Sequence, residues 1–94
     1  MNYKIKFLPT ALKEWKKLSS DIQQQFKKKL IERTAKPRNP ASQLHGLKDV
    51  YKIKLRSSGY RLVYEVNDNE VCIYVIAVGK RDHGIVYKKA KTRK

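Results

Sequence analysis

The sequence predicts an α+β fold: a small antiparallel β-sheet of about four strands, an N-terminal helical hairpin packed on it, and a short C-terminal helix or tail. Three observations lead there. Apolar side chains recur at helical spacing up to residue 35, and three β-rich runs separated by turn residues follow between 50 and 78. The length, 94 residues, suffices for one modest core, so 1–94 reads as a single domain.

Tyr3, Ile5 and Phe7 alternate with Lys4 and Lys6, the pattern of a short first strand. Pro9-Thr10 ends it and suits a helix start, because proline's missing N–H and fixed φ match the first helical turn. Leu8, Ala11, Leu12, Trp15 and Leu18 then follow at helical spacing, with Lys13, Glu14, Lys16 and Lys17 around the other side. Trp15 reads as core. Ser19-Ser20-Asp21 interrupts the pattern and offers an N-cap, with Gln23 three residues after Ser20 as its capping-box partner. A second helix runs through Ile22, Phe26, Leu30 and Ala35, and the short break predicts an antiparallel helical hairpin. Its outward side carries Lys27, Lys28, Lys29 and Arg33, which is either a solvated face or an auxiliary phosphate-binding surface. Pro37 and Pro40 end the helical region. Residues 36–48 read as a loop that Leu44 and Leu47 pin to the core, with His45-Gly46 at its exposed bend.

A three-strand meander follows. Tyr51, Ile53 and Leu55 alternate with Lys52, Lys54 and Arg56 in a strand over about 50–56, Ser57-Ser58-Gly59 turns the chain, and a second strand covers about 60–66. After Asn67-Asp68-Asn69 the third strand, about 70–78, is nearly all apolar, as expected for a central strand covered on both faces. In the last stretch Ile85, Val86 and Ala90 suit a turn or two of helix, beyond which a mobile basic tail is the common outcome.

The charge is extreme. There are 23 Lys+Arg against 8 Asp+Glu, a formal +15. That excess repels itself and favours polyanionic partners, whether nucleic acid, an acidic protein or an anionic membrane, with the membrane last, since the amphipathic faces are needed for the core. The chain opens directly on a structural pattern with no signal segment, which makes a cytoplasmic location the default expectation. The lone Cys72 lies inside the apolar third strand and reads as a small buried hydrophobe.

Strand pairing should gather the cations. A regular first hairpin puts Lys54 opposite Val63 and Lys52 opposite Glu65, with Lys52, Lys54, Arg56 and Arg61 on one face. The second hairpin brings Lys80 and Arg81 back beside Arg61, and Tyr87 follows six residues later. Ser-His-Asp and Cys-His arrangements are missing, as are metal-ligand spacing and a Gly-rich phosphate loop, so neither a metal nor another cofactor is expected. What remains is Lys, Arg and Tyr. Guanidinium groups stabilise charge on a phosphate, a lysine crowded by cations is pushed towards a base, and RNA brings its own 2′-hydroxyl nucleophile. Composition alone favours nucleic-acid binding; these groups also permit a metal-free ribonuclease.

The chain resembles the RelE family of toxin–antitoxin ribonucleases, within the RelE/ParE superfamily. The resemblance rests on Ala11-Leu12-Lys13-Glu14-Trp15 with Lys17-Leu18, on Lys27-Lys28-Lys29-Leu30, on the run 51–64, and on Val78-Gly79-Lys80-Arg81 with Val86-Tyr87. It implies the RelE-like microbial ribonuclease fold and ribosome-dependent cleavage of A-site mRNA by metal-independent 2′-hydroxyl attack, leaving a cyclic phosphate. Positions matching the family's functional residues are Lys52, Lys54, Arg61, Arg81 and Tyr87. By resemblance Lys52 or Lys54 aids proton removal, Arg61 steadies the phosphate, Arg81 assists the leaving oxygen and Tyr87 stacks on or orients a base. Lys27, Lys28, Lys29, His45, Arg56, Lys80, Lys88 and Lys89 would contact RNA, in part the small-subunit rRNA. A RelB-like antitoxin would neutralise the toxin and, through it, reach operator DNA to repress transcription. His45 stands where relatives often carry Arg, and Asp82-His83-Gly84 departs from the commonest sequence before the final segment. The alternative is a non-catalytic RNA- or protein-binding module of the same fold, akin to the gyrase-inhibiting relatives. Those lack the positions that Lys52, Lys54, Arg61, Arg81 and Tyr87 occupy here.

Overall fold

Strand β4 (Cys72–Lys80) is almost without polar side chains and takes an interior place in a four-stranded sheet of a computed structural model that describes residues 2–80 and 85–93. β3 (Tyr60–Asn67) pairs with it antiparallel and β2 (Val50–Leu55) pairs with β3, which is the expected meander. β1 (Lys4–Phe7) takes the other edge, for the order β1-β4-β3-β2. β1 runs parallel to β4, with Lys4 opposite Cys72 and Phe7 opposite Val75, so the sheet is mixed rather than wholly antiparallel. The cause is the intervening helical hairpin. It returns the chain to the end where β1 began, so β2 starts in the same direction as β1, and β4, two reversals later, matches both. The α+β architecture of sheet and helices is otherwise as expected.

Helix α1 (Pro9–Lys16) buries Ala11 and Trp15, and α2 (Ser20–Ala35) buries Ile22, Phe26, Leu30 and Thr34 at a spacing of four. Thr34 takes the inward place expected of Ala35, which is exposed, and satisfies its hydroxyl on the Ile31 carbonyl. The cap also differs by one residue. Ser19, not Ser20, is the N-cap, its Oγ accepting from the Ile22 N–H at 3.3 Å. Gln23 does not close a capping box; its Nε2 donates across the junction to the Trp15 carbonyl at 2.8 Å and locks the two helices together.

The helices cover one face of the sheet, where Phe26 and Leu30 pack with Ile53, Leu62, Tyr64 and Ile73. Helix α3 (Ile85–Arg93) covers part of the other face, setting Val86 and Ala90 against Val50, Val63, Ile76 and Ala77. A bulge makes this possible. Val63 pairs with Ala77 but Tyr64 with Val75, so Ile76 is the extra residue and two successive side chains point towards α3. The loop after α2 lies along the outer edge of β2: it contains a 3₁₀ turn (Pro40–Ser42), a bridge from Gln43 to Tyr51, and a Leu44 N–H bond to the Val50 carbonyl at 2.8 Å. Leu44 is buried and Leu47 packs beside it, as expected. Among the described residues no helix is long and apolar enough to cross a membrane.

Candidate nucleic-acid interface

The local cause of the site is Gly59. It adopts φ +78°, a region that L side chains avoid, and its N–H bonds to the Leu55 carbonyl at 2.8 Å. The hairpin therefore closes at Leu55 opposite Tyr60, and Arg56 belongs to the turn instead of the strand. Lys54 consequently lies opposite Arg61 and Lys52 opposite Val63, where a regular pairing had placed Val63 and Glu65. The ladder has slid by an even step, so the face is unchanged while the partners move. Lys52, Lys54 and Arg61 share it, and Arg56 leaves it.

Arg61 is the buried member. Only 7% exposed, it lies between Lys54 on β2 and Gly79 on β4, and its Nη1 donates to the Tyr60 carbonyl at 3.0 Å. Lys54 is exposed and Lys52 half-buried. Helix α3 brings Tyr87 to the same place: the Lys52 Nζ stands 5.6 Å from the centroid of its ring, within cation–π range. The Tyr87 hydroxyl is buried and has no hydrogen-bond partner among the described residues. A buried hydroxyl left without any partner costs about 1–3 kcal/mol. Lys80 is exposed and pairs with Tyr60 at the end of the ladder. Arg81 lies outside the described residues, as do Asp82, His83 and Gly84.

The other expected RNA-binding residues divide. Arg56 is exposed in the hairpin turn, and His45 is exposed in the loop beside β2. Lys88 is exposed on α3, whereas Lys89 directs its ammonium to Glu14 at 3.0 Å. Lys27, Lys28 and Lys29 are exposed on α2, on the opposite side of the sheet from Lys52. Lys27 borders an apolar groove with Ile5 and Phe7, at the β1 edge. They form a second basic surface, separate from the first.

Two residues gave little sequence signal of where the fold would place them. Arg33 read as one more cation on the outward side of α2, solvated or phosphate-binding together with Lys27, Lys28 and Lys29, yet it reaches the β2 edge. Glu14 is a lone acid among lysines, and that isolation was its one clue. Cys72 is buried, and burial pushes its thiol pKa up, in keeping with an unreactive packing role. Among the described residues no three His, Cys, Asp or Glu side chains gather as a metal site would require.

Over residues 5–88 the chain matches the family of ParE toxins of the type II toxin–antitoxin system parDE. It is 54% identical over 93 residues to the mRNA interferase toxin RelE of Escherichia coli strain K12, spanning 99% of this chain and 98% of that one. A solved structure of the E. coli toxin RelE, a doubly substituted form in the free state, superposes with a TM-score of 0.91 at 53% identity, over 99% of this chain and 98% of that one. A chain of the intact E. coli RelBE toxin–antitoxin complex gives a TM-score of 0.82 at 55% identity, over 85% of this chain and 98% of its own length.

Proposed function

We propose that this chain, which belongs to the ParE/RelE family of type II toxins, is an endoribonuclease that cleaves mRNA in the ribosomal A site and is neutralised by a RelB-like antitoxin. The observation that carries this reading is the convergence of Lys52, Lys54 and Arg61 with Tyr87, whose buried hydroxyl has no partner among the described residues. The 54% identity to an mRNA interferase over nearly the whole chain supports it.

In this mechanism the ribose 2′-oxygen attacks the adjacent phosphorus and the 5′-oxygen of the next nucleotide leaves. The products are a 2′,3′-cyclic phosphate and a 5′-hydroxyl. Lys52 or Lys54 takes the 2′ proton, and Arg61, fixed by burial, stabilises the charge that develops on the phosphoryl oxygens. Tyr87 orients the substrate, its ring beside Lys52 and its hydroxyl meeting a group the RNA brings. Arg81, by the family resemblance, assists the leaving oxygen. The surface of Lys27, Lys28 and Lys29, turned away from Lys52, suits ribosomal RNA while the other face holds the message. The antitoxin links the toxin to operator DNA, and a substrate on translating ribosomes places the reaction in the cytoplasm.

Mapping mRNA 5′ ends on translating ribosomes tests the reading. Cuts within A-site codons are expected with the unmodified chain, and their loss with Arg61→Ala and Arg81→Ala. No cuts with the unmodified chain would remove the ribonuclease assignment. Undiminished cutting by both variants would remove the residue roles.

A further inference from the structure

We infer that Arg33, with Ser42 and Arg56, forms a second phosphate subsite that holds the RNA backbone beside the reacting phosphate; this rests on the ribonuclease reading above. An open cleft of about 310 Å³ runs along the outer edge of β2, lined by Arg33, Ala41, Ser42, Lys52, Lys54 and Arg56. Four of these six are cations and none is acidic. Lys52 and Lys54 belong also to the convergent face, so the cleft continues that surface around the sheet edge towards α2. A backbone crossing the first site enters the second with its next phosphate.

Arg33 is not a loose surface cation. Its Nη1 donates to the Tyr64 hydroxyl at 2.9 Å and its Nη2 to the Ser42 Oγ at 3.4 Å, and the guanidinium carbon stands 5.9 Å from the centroid of the Tyr64 ring. Tyr64 is fully buried and donates its own hydroxyl to the Pro37 carbonyl at 2.6 Å, so the brace is rigid. These bonds use two of the five N–H groups of a guanidinium, and both go to neutral oxygens. A planar fork held in place, in a cleft whose lining among the described residues adds three further cations and no carboxylate, is the arrangement that a phosphate completes with paired hydrogen bonds. Lys27, Lys28 and Lys29, one to two turns earlier on the same helix, lack such a brace: no hydrogen bond fixes their side chains among the described residues.

The test is a length series of RNA oligonucleotides carrying a 2′-deoxy residue at the cleavage position, bound to the full chain and followed by fluorescence anisotropy at several salt concentrations. Arg33→Ala should weaken binding of tri- and tetranucleotides about fivefold or more and leave a dinucleotide, with its single phosphate, unchanged. The slope of log affinity against log salt should fall by about 0.7, one contact's worth for a single strand. Arg33→Lys should keep the slope while losing part of the affinity. Arg56→Ala, in an exposed turn, probes the same cleft without touching the Tyr64 brace and should also lower the slope. On ribosomes Arg33→Ala should raise KM for cleavage with kcat and cut positions preserved. Equal affinity across the length series would overturn the subsite. So would a loss of binding to ribosomes free of mRNA with the oligonucleotide series unaffected, which would assign Arg33 to ribosomal RNA. Failure of the unmodified chain to cleave would instead sink the ribonuclease reading, and the length series would still report on the cleft.

Discussion

Glu14 and Arg93, 79 positions apart, form a bidentate ion pair: Nη1 lies 2.8 Å from Oε1 and Nη2 3.2 Å from Oε2. Glu14 also accepts from the Lys89 ammonium at 3.0 Å and the Val78 N–H at 3.3 Å, while the Arg93 Nη1 donates to the Ile76 carbonyl at 2.9 Å. β1 covers β4 only as far as Val75, so the pair closes the stretch of strand edge that β1 leaves open. It also fastens α3, and with it Tyr87, to the sheet. Glu14→Ala should cost about 1–3 kcal/mol, because it strands Arg93, Lys89 and the Val78 N–H together. Thermal unfolding reads the loss, and hydrogen exchange should show α3 opening ahead of the strands.

The same clasp sets an acid limit. Burial pushes the Glu14 carboxyl up, but hydrogen bonds from Arg93 and Lys89 outweigh it and hold the pKa below the usual range. A carboxyl depressed in the folded state contributes stability above its unfolded pKa of about 4.3 and loses it as pH falls through the folded value. The midpoint temperature should therefore hold steady from pH 7 to 5 and decline below about pH 4. Glu14→Gln should lower the plateau and flatten part of the decline; an identical pH profile in the variant would remove Glu14 from the effect.

Tyr87→Phe separates stability from activity. Removing a buried hydroxyl that has no partner among the described residues should leave stability unchanged or raise it by about 1 kcal/mol. If that hydroxyl meets RNA, cleavage should fall at least about tenfold, the worth of one lost hydrogen bond near 1.4 kcal/mol. Denaturation and ribosome-cleavage assays on the same preparation decide it. A destabilised variant would contradict the orphan.

Val71 carries backbone strain. It sits at φ +52° in the turn before β4, a region that costs a β-branched residue about 1–2 kcal/mol. Its carbonyl accepts from the Lys4 N–H at 2.9 Å, which ties the turn to β1 and holds the conformation in place. Val71→Asn should gain about 1 kcal/mol, or about 4–8 °C in Tm for a chain this size. Calorimetry checks it, and cleavage should be unaffected because the turn joins the opposite end of the β3–β4 hairpin from Lys80.

Much of the architecture was legible because it follows from local periodicity. Alternation at Tyr51, Ile53 and Leu55 marks a strand with one buried face wherever that strand ends up, and the spacing of Ile22, Phe26 and Leu30 marks a helix in the same way. Within the paired strands face assignments survived even where pairing partners did not, because a ladder that slips by an even step keeps each side chain on its side; Arg56, which fell into the turn, did not keep its place. Less legible was anything set by non-local contact: the parallel pairing of β1, the bulge at Ile76, and the brace that turns Arg33 from a surface cation into part of a cleft.

By itself the sequence determined the α+β class, the +15 charge with its demand for a polyanionic partner, and the sharing of one sheet face by Lys52, Lys54 and Arg61. Those properties depend on composition and on the two-residue repeat of a strand, both carried by neighbouring residues. Tertiary structure decided which groups meet. Lys54 opposes Arg61 because Gly59 alone in its turn takes a positive φ without strain; Tyr87 reaches Lys52 because α3 packs on Val63 and Ala77; and α3 stays there because Glu14 holds Arg93 across almost the whole chain. Contacts between distant residues depend on packing and loop closure, and neither is written in any short window of sequence.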